Sequence, residues 1–214
     1  MRFPLFLKIF FLVTLISGCE SNTSFNNEDL NINRENISGS LIAEDNPIKS
    51  LESSYSFIAL GDSYTIGEGV NEDERWPNQF ANIANENGID FDQPEIIAES
   101  GWKTYDLLNA INQTSFTKKY DYISLLIGVN NQFNSRPINE FEEDLNKLID
   151  KMNGIRKNDG SIIIISIPDW GFSPYGESSD MSDISEQIDL FNNSLRKFAT
   201  NNNLKYVDVT EISR

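Results

Sequence analysis

The chain has 214 residues, with 33 acidic and 17 basic side chains and a formal net charge of −16 at pH 7. Nucleic acids and anionic lipid surfaces would repel this charge, so neither is expected as a partner. The sequence contains no histidine and one cysteine, Cys19. No intrachain disulfide can form, and no metal site or cofactor is predicted, because the soft ligands that zinc prefers are almost absent.

The first residues have the composition of an export signal. Two basic residues flank and interrupt the apolar stretch 3–16, which is too short to span a membrane. It ends in Leu-Ile-Ser-Gly-Cys, which resembles the lipobox of bacterial lipoproteins. The resemblance implies that residues 1–18 are a signal peptide, that Cys19 is lipidated, and that the protein is anchored in the bacterial cell envelope, on the periplasmic face or the cell surface. The alternative is an ordinary secretory signal with an incidental cysteine.

The composition changes at about residue 55. Residues 19–54 are rich in Asn, Ser, Glu and Asp and have no sustained hydrophobic period, which predicts a flexible acidic tether. From residue 55 onward, short apolar runs alternate with amphipathic segments, and about 160 residues are enough for one domain with its own core. We therefore predict a single domain over residues 55–214.

Five apolar runs in that domain predict β-strands, at residues 56–60, 95–98, 122–127, 161–167 and 205–209. The fourth contains four consecutive isoleucines, as expected for a strand buried on both faces of a parallel sheet. Apolar stripes with helical spacing predict four helices between the strands, around residues 76–83, 104–111, 141–155 and 184–198. This alternation predicts a three-layer α/β/α sandwich with a five-stranded parallel sheet.

Small polar turns follow the first three predicted strands, at residues 61–63, 99–104 and 128–131. In a parallel sheet these turns lie at the same edge, where ligands bind. Ser63, which directly follows a buried strand, is a candidate nucleophile, although a serine needs a neighbouring base to act as one. The alternatives are a capping role for Ser63 and turn roles for Asn130 and Asn131.

These blocks resemble those of the SGNH (GDSL-type) hydrolases from about residue 56 to the end of the chain. Gly61-Asp62-Ser63 matches the nucleophile block, Gly101 matches the second block, and Gly128 with Asn130 matches the third. The resemblance implies a flavodoxin-like fold and a serine esterase or lipase that cleaves carboxylic esters through an acyl-enzyme. It further implies that Ser63 is the nucleophile and that the Ser63 and Gly101 N–H groups and the Asn130 amide form the oxyanion hole.

The sequence departs from that family in two places. Asn131 stands where an aspartate is common, and the fourth block, Asp-x-x-His, is absent. Only residues 210–214 follow the fifth strand, so no closing C-terminal helix is predicted. We therefore expect the chain to be C-terminally incomplete and, without the catalytic histidine, inactive as it stands. A serine–lysine mechanism through Lys103 is a more distant hypothesis.

The alternative function is a catalytically dead lipoprotein of the same fold that binds an acyl or glycan ligand. In either case the expected partner is a small-molecule or glycan ester, membrane contact is limited to the N-terminal lipid anchor, and the protein is expected to be monomeric. The segment Asp169-Trp170-Gly171, after the fourth strand, either borders the site or belongs to an ordinary loop. Trp102 either lines an acyl pocket or covers the sheet edge.

Overall fold

The computed structural model describes residues 54–176 and 180–214. The predicted signal peptide, Cys19 and all but the last residue of the predicted tether lie outside these residues. Within the described ranges, no helix combines the length and the apolar character needed to cross a bilayer.

Five parallel strands form one sheet. They are β1 (Phe57–Gly61), β2 (Glu95–Ala98), β3 (Tyr120–Leu126), β4 (Arg156–Ile165) and β5 (Lys205–Val207), in the spatial order β2-β1-β3-β4-β5. Strand β1 is therefore flanked on both sides, and the strand order reverses direction beside it. The predicted α/β fold with a five-stranded parallel sheet is confirmed.

Four longer helices connect the strands where the apolar stripes predict them. These are α2 (Trp76–Glu86), α3 (Thr104–Gln113), α5 (Ile138–Ile155) and α6 (Met181–Asn201). Three single helical turns were not predicted: α1 (Ser63–Ile66), α4 (Val129–Phe133) and α7 (Thr210–Ser213). Each follows a strand directly and is too short to show a helical period in the sequence. The residues after β5, for which no helix was predicted, thus form one helical turn.

The helices divide between the two faces of the sheet. The main core packs α3, α5 and α6 against one face, through apolar side chains that include Ile58, Leu107, Leu145, Ile164 and Leu195. On the opposite face, Phe57 stacks against Trp76 and Phe80 of α2, with ring centroids 6.1 and 5.6 Å apart. Alternate residues of each strand point to opposite faces, so a strand with helices on both sides is apolar throughout.

Strand β4 begins five residues before its predicted start. Tyr120 pairs with Arg156 but Tyr122 pairs with Ser161, so residues 157–160 form an irregularity in β4. The Arg156 guanidinium closes it by donating from Nη1 to the Gly160 carbonyl over 2.9 Å. The sequence of this segment, Lys-Asn-Asp-Gly, is typical of a turn, and only its pairing with β3 makes it part of the strand.

Gly128, which follows β3, combines a positive φ with close packing against core side chains. Its φ is +127°, and a Cβ there would lie 2.7 Å from Phe141 Cε2 and 2.9 Å from Ile167 Cδ1. We expect Gly128→Ala to lower the free energy of unfolding by about 2–4 kcal/mol, because it adds backbone strain to overpacking. Urea denaturation monitored by circular dichroism measures the loss.

Gly154→Ala is the matched control. Gly154 lies in α5 with an ordinary φ, and nothing lies within 4 Å of its added Cβ. This variant should be more stable than the wild type by up to about 1 kcal/mol, because alanine has the higher helix propensity. Equal effects of the two substitutions would contradict the steric argument.

Candidate active site

The carboxyl ends of three neighbouring strands are level with each other. Gly61, the last residue of β1, pairs with Ala98 of β2 and with Leu126 of β3. The chain leaves these strands through the three predicted turns. The structure therefore places Ser63, Gly101 and Asn130 at one edge of the sheet. Ser63 follows the central strand β1, whereas Gly101 follows β2 and Asn130 follows β3.

The turn after β1 is specified by tight packing. A Cβ on Gly61 would lie 2.1 Å from Thr65 Oγ1 and 2.5 Å from the Leu126 carbonyl oxygen, so only glycine fits. Asp62 then caps α1, since its Oδ1 accepts a hydrogen bond from the Tyr64 N–H over 3.1 Å. Ser63 becomes the first residue of α1. Among the described residues, its N–H has no acceptor, as is usual in the first turn of a helix.

Gly101 adopts a backbone conformation that favours glycine, with a φ of +83°. The Trp102 N–H donates to the Glu99 carbonyl over 3.3 Å and closes the turn, whereas the Gly101 N–H has no acceptor in the described part of the chain. No atom lies within 4 Å of the position that a Cβ on Gly101 would take. The turn therefore presents an unbonded N–H beside open space.

Asn130 connects the second turn to the third. Its Nδ2 donates to the Trp102 carbonyl over 3.0 Å, which fixes the orientation of the amide. A side-chain amide carries two N–H groups, so a second donor on Nδ2 remains. The half-buried amide thus stands next to the turn that carries Gly101.

A buried network holds these two turns together. Asn131 Oδ1 accepts from the Thr104 N–H over 3.0 Å, and Asn131 Nδ2 donates to Thr104 Oγ1 over 2.9 Å. Thr104 Oγ1 in turn donates to Asp144 Oδ2 of α5 over 2.9 Å. Asn131, in the position where the family commonly has aspartate, is therefore a structural link. Thr104 is the first residue of α3.

Asp62 is a fully buried carboxyl group next to the candidate nucleophile. Burial raises its pKa from 3.8 to about 7, although the N–H groups of Tyr64 and Gly128 oppose the shift. Among the described residues, its Oδ2 has no hydrogen-bond partner. The charged form of Asp62 is therefore costly in the folded protein.

A second buried carboxylate, Asp169, lies in the loop after β4. Its Oδ2 accepts from Arg214 Nε over 2.9 Å and from Ser185 Oγ over 2.6 Å, and its Oδ1 accepts from the Gly171 N–H. The Asp169 N–H also donates to Ser213 Oγ over 2.8 Å. Asp169 is thus a junction that ties this loop to α6 and to residues 213–214. The negative charge of Asp169 also contributes, after burial and Asp62, to the raised pKa of Tyr64.

The described residues supply no base for the candidate nucleophile. None of them forms a hydrogen bond with the Ser63 hydroxyl. Lys103 lies with its Nζ 3.9 Å from Asp106 Oδ2 and 5.7 Å from the centre of the Tyr105 ring, so the serine–lysine hypothesis gains no supporting contact. Within the same residues, no group of three or more histidine, cysteine, aspartate or glutamate side chains could hold a metal ion.

Gln132 and Phe133, at this edge, were not identified from the sequence, whereas Trp170 belongs to the segment that the sequence named as a possible border of the site. Trp170, in the loop after β4, donates from Nε1 to Gln132 Oε1 over 2.7 Å, and its ring packs against Phe133 with centroids 5.3 Å apart. The sequence carries no motif around these residues. The only available signal was that Gln132 and Phe133 directly follow the third block.

The fold and this edge define a class of protein: an α/β protein with a five-stranded parallel sheet, in which a serine follows a strand that is flanked on both sides. The sequence model of the GDSL-like Lipase/Acylhydrolase family matches residues 59–214, and the chain belongs to that family. A comparison with curated proteins found no match.

Several solved structures share the fold. The SGNH-hydrolase family esterase AlinE4 is 19% identical, with a TM-score of 0.56 over 74% of this chain and 77% of that chain. A lipolytic G-D-S-L family protein from Veillonella parvula is 20% identical, with a TM-score of 0.56 over 73% and 78%. The psychrotrophic esterase EstA from Pseudoalteromonas sp. is 14% identical, with a TM-score of 0.54 over 72% and 77%. At these identities the likeness shows a common fold.

The raised pKa of Asp62 predicts a pH-dependent stability. The folded-state pKa of Asp62, about 7, lies above the unfolded value of 3.8. Ionisation of this carboxyl group therefore lowers the free energy of unfolding. We expect Asp62→Asn to gain stability relative to the wild type as pH rises from about 4 to 7 and to keep that gain above pH 7. The full difference is on the order of 4 kcal/mol as an upper bound. Urea denaturation at each pH measures it.

Asp208→Asn serves as the control of opposite sign. Although burial opposes it, hydrogen bonds from Thr210, Arg196 and Ser166 lower the pKa of Asp208 below 3.8. This variant should be less stable than the wild type at pH 7, and the gap should close as pH falls below about 4. A stability difference for Asp62→Asn that did not change with pH would contradict the assignment of the raised pKa.

The ion pair between Asp169 and Arg214 predicts a large loss of stability when the cation is removed. Arg214→Met leaves the buried Asp169 carboxylate with only its neutral donors, and we expect a loss of about 2–4 kcal/mol. The control is Arg136→Met, which removes an exposed pair with Glu140 and should cost less than about 1 kcal/mol. Urea denaturation at pH 7 compares the two variants. Equal losses of stability would contradict the larger contribution expected from the buried Asp169 pair.

Proposed function

We propose that this protein is a serine esterase that hydrolyses carboxylic esters through an acyl-enzyme intermediate. The observation that carries the proposal is the position of Ser63. It follows β1, the strand between β2 and β3, and three N–H groups at the same sheet edge have no acceptor among the described residues. These are the backbone N–H groups of Ser63 and Gly101 and the second N–H of the Asn130 amide. Membership of a family of lipases and acylhydrolases supports the same chemistry.

In the first step, Ser63 Oγ attacks the ester carbonyl carbon, and the carbonyl electron pair moves onto its oxygen. The negative charge that develops there is what the three donors would stabilise. They are attached to strand ends and to a fixed amide, so they need no reorganisation as the charge forms. A single such donor contributes about 3–4 kcal/mol to transition-state stabilisation.

In the second step, the tetrahedral intermediate collapses and the bond from the carbonyl carbon to the alcohol oxygen breaks. The alcohol leaves with a proton, and the acyl group stays on Ser63 until water cleaves it and restores the hydroxyl. Both halves need a group that accepts the serine or water proton and returns it to the leaving oxygen. No described residue forms a hydrogen bond with the Ser63 hydroxyl to fill this role, and the 214 residues contain no histidine.

The cellular setting in this proposal follows from the N-terminal sequence. A lipid on Cys19 would hold the domain at a membrane surface, with residues 19–54 as the tether. The high negative charge would keep the domain itself away from anionic lipids. The substrate would then be a small-molecule or glycan ester that reaches the site from the aqueous side.

A second candidate function is supported by one observation, the absence of histidine from the sequence. The same three donors would bind a carbonyl or carboxylate oxygen of an acyl or glycan ligand without turnover. In this case Ser63 contributes a hydrogen bond instead of a nucleophile.

The decisive test uses the protein as its native host produces it. Wild type, Ser63→Ala and the exposed control Ser182→Ala are purified and assayed with p-nitrophenyl acetate. We expect Ser63→Ala to lose at least about 10³-fold in kcat/KM, because the covalent route is removed, and Ser182→Ala to match the wild type. A phosphonate that reacts with serine nucleophiles should label the wild type at Ser63.

Retained turnover in Ser63→Ala would reject the proposal. A wild type that neither turns over esters nor reacts with the phosphonate, yet binds acyl ligands, would establish the second candidate instead.

A further inference from the structure

The buried hydrogen bonds between the turn after β2 and the turn after β3 have a fixed direction. The backbone N–H of Thr104 can only donate, and it lies 3.0 Å from Asn131 Oδ1. This contact identifies the oxygen of the Asn131 amide, so the amide nitrogen is the atom that lies 2.9 Å from Thr104 Oγ1. Asn131 therefore donates a hydrogen bond to the Thr104 hydroxyl.

The Thr104 hydroxyl continues the same direction toward α5. A hydroxyl group has one proton to donate, and a carboxylate can only accept. Because Asp144 Oδ2 lies 2.9 Å from Thr104 Oγ1, this proton points to Asp144. The other oxygen of Asp144 accepts from Lys147 Nζ over 3.0 Å, as expected for a charged carboxylate. Asn131, Thr104 and Asp144 thus form a one-way chain of donors, which we call the Asn131 relay.

The relay cannot accommodate a second carboxylate without cost. Its members are buried, with exposed fractions of 2% for Asn131, 0% for Thr104 and 9% for Asp144. An aspartate at position 131 would place a carboxylate oxygen against Thr104 Oγ1, so two carboxylates would face a hydroxyl with one proton. Like charges that share one buried site are unfavourable, and one of the two would lose its hydrogen bond. An amide at position 131 avoids both costs.

The relay joins the two turns that carry the oxyanion-type donors. Thr104 begins α3 two residues after Trp102, and the Trp102 carbonyl accepts from Asn130 Nδ2 over 3.0 Å. Asn130 and Asn131, which are adjacent in α4, therefore bind the second turn at two points. Gly101 directly precedes Trp102. A change in the relay that moves α3 relative to α4 would alter the spacing between the Gly101 N–H and the Asn130 amide.

We propose that Asp144 is a positioning residue, which sets the direction of the relay, makes an amide necessary at position 131, and so fixes the spacing between the Gly101 N–H and the Asn130 amide. The contribution of this spacing to catalysis rests on the proposed function, because it takes both groups to be oxyanion-hole donors. The direction of the relay is independent of that function. It can be reversed if residue 144 becomes the donating amide and residue 131 the accepting carboxylate.

The test is a double-mutant cycle in the full chain at pH 7, followed by urea denaturation. We expect Asn131→Asp to raise the equilibrium constant of unfolding by about 10²-fold, because two buried carboxylates then compete for one proton. Asp144→Asn should change this constant by less than about fivefold, since an amide oxygen can still accept from Thr104 and the lost ion pair with Lys147 is exposed.

The double variant is expected to recover most of the stability that Asn131→Asp loses. The new amide at position 144 donates to Thr104 Oγ1, and the hydroxyl proton turns to the new carboxylate at position 131. The equilibrium constant of unfolding should return to within about tenfold of the wild-type value. Two substitutions that merely disturb the core would instead add their losses.

NMR spectra of the nitrogen-labelled chain report on the donors themselves. In Asn131→Asp, the resonances of the Gly101 N–H and of the Asn130 side-chain amide should shift, because the two turns move relative to each other. Both resonances should return toward their wild-type positions in the double variant. Neither the spectra nor the urea titrations require turnover, so they do not depend on a catalytic base.

Thr104→Val and Thr104→Ser form a second pair of variants. The valine removes the hydroxyl and should shift both resonances, whereas the serine keeps the hydroxyl and should leave them in place. Thr114→Val is the matched control, since Thr114 Oγ1 donates to the Ala110 carbonyl over 2.9 Å at the exposed far end of α3. It removes a threonine hydroxyl outside the relay and should move neither resonance.

A double variant that is no more stable than Asn131→Asp would overturn the direction of the relay. If Asn131→Asp does not fold, recovery of the fold in the double variant gives the same information. Unchanged resonances of Gly101 and Asn130 in folded Thr104→Val would overturn the positioning role. Ester turnover by the wild type is scored separately, so a failed relay and a failed esterase give different results.

Discussion

The parallel register at Gly61 is the constraint on which the rest of the site depends. This residue pairs with strand ends on both sides, and its missing side chain lets Thr65 and the Leu126 carbonyl approach where a Cβ would stand. A shift of one residue would place a side chain in that space and reverse the faces of β1. Helix α1 begins at Ser63, two residues after β1 ends, and Asp62 lies between them. The Ser63 N–H has no acceptor among the described residues because it lies in the first turn of that helix.

The polar groups beside that turn are buried in two different ways. The amide of Asn131 forms hydrogen bonds through both its oxygen and its nitrogen, because it accepts from and donates to Thr104, whose hydroxyl donates to Asp144. Asp62 is also buried but keeps an oxygen without a partner. Satisfied amides add rigidity at little electrostatic cost, whereas the unsatisfied carboxylate stores a penalty that grows when it is charged. Neutral hydrogen bonds therefore hold the site in position, and the buried Asp62 carboxyl group lowers the stability of the fold when it is charged.

The loop after β4 is the second structural component of the site, and it is held from two directions. Asp169 is bound by Arg214 and Ser185, and the adjacent Trp170 is bound by Gln132. The exposed ring of Phe133 packs against Trp170. Trp170 directly follows Asp169, so neighbouring residues of one loop form the aromatic contact and the ion pair with Arg214. In the proposed enzyme, the nucleophile and the N–H donors would follow the strand ends, and the loop after β4 would border the substrate beside them.

The sequence by itself determined the fold class and the order of the site blocks. Apolar runs such as Ile162 to Ile165 and the helical stripes depend on local periodicity, and periodicity can be read from residue order. The three polar turns were found in the same way, since each follows an apolar run, and the resemblance to the SGNH hydrolases singled out Ser63, Gly101 and Asn130 within them. The short turns α1, α4 and α7 were missed because four or five residues carry no period.

Tertiary structure alone decided which side chains support the site. The pairing of Asn131 with Thr104, of Asp169 with Arg214 and of Trp170 with Gln132 joins residues 27, 45 and 38 positions apart. The burial of Asp62 likewise depends on what α1 and Gly128 place around it. No local pattern encodes such contacts, because hydrogen bonding and desolvation depend on distance in space, which only the packed sheet and helices set.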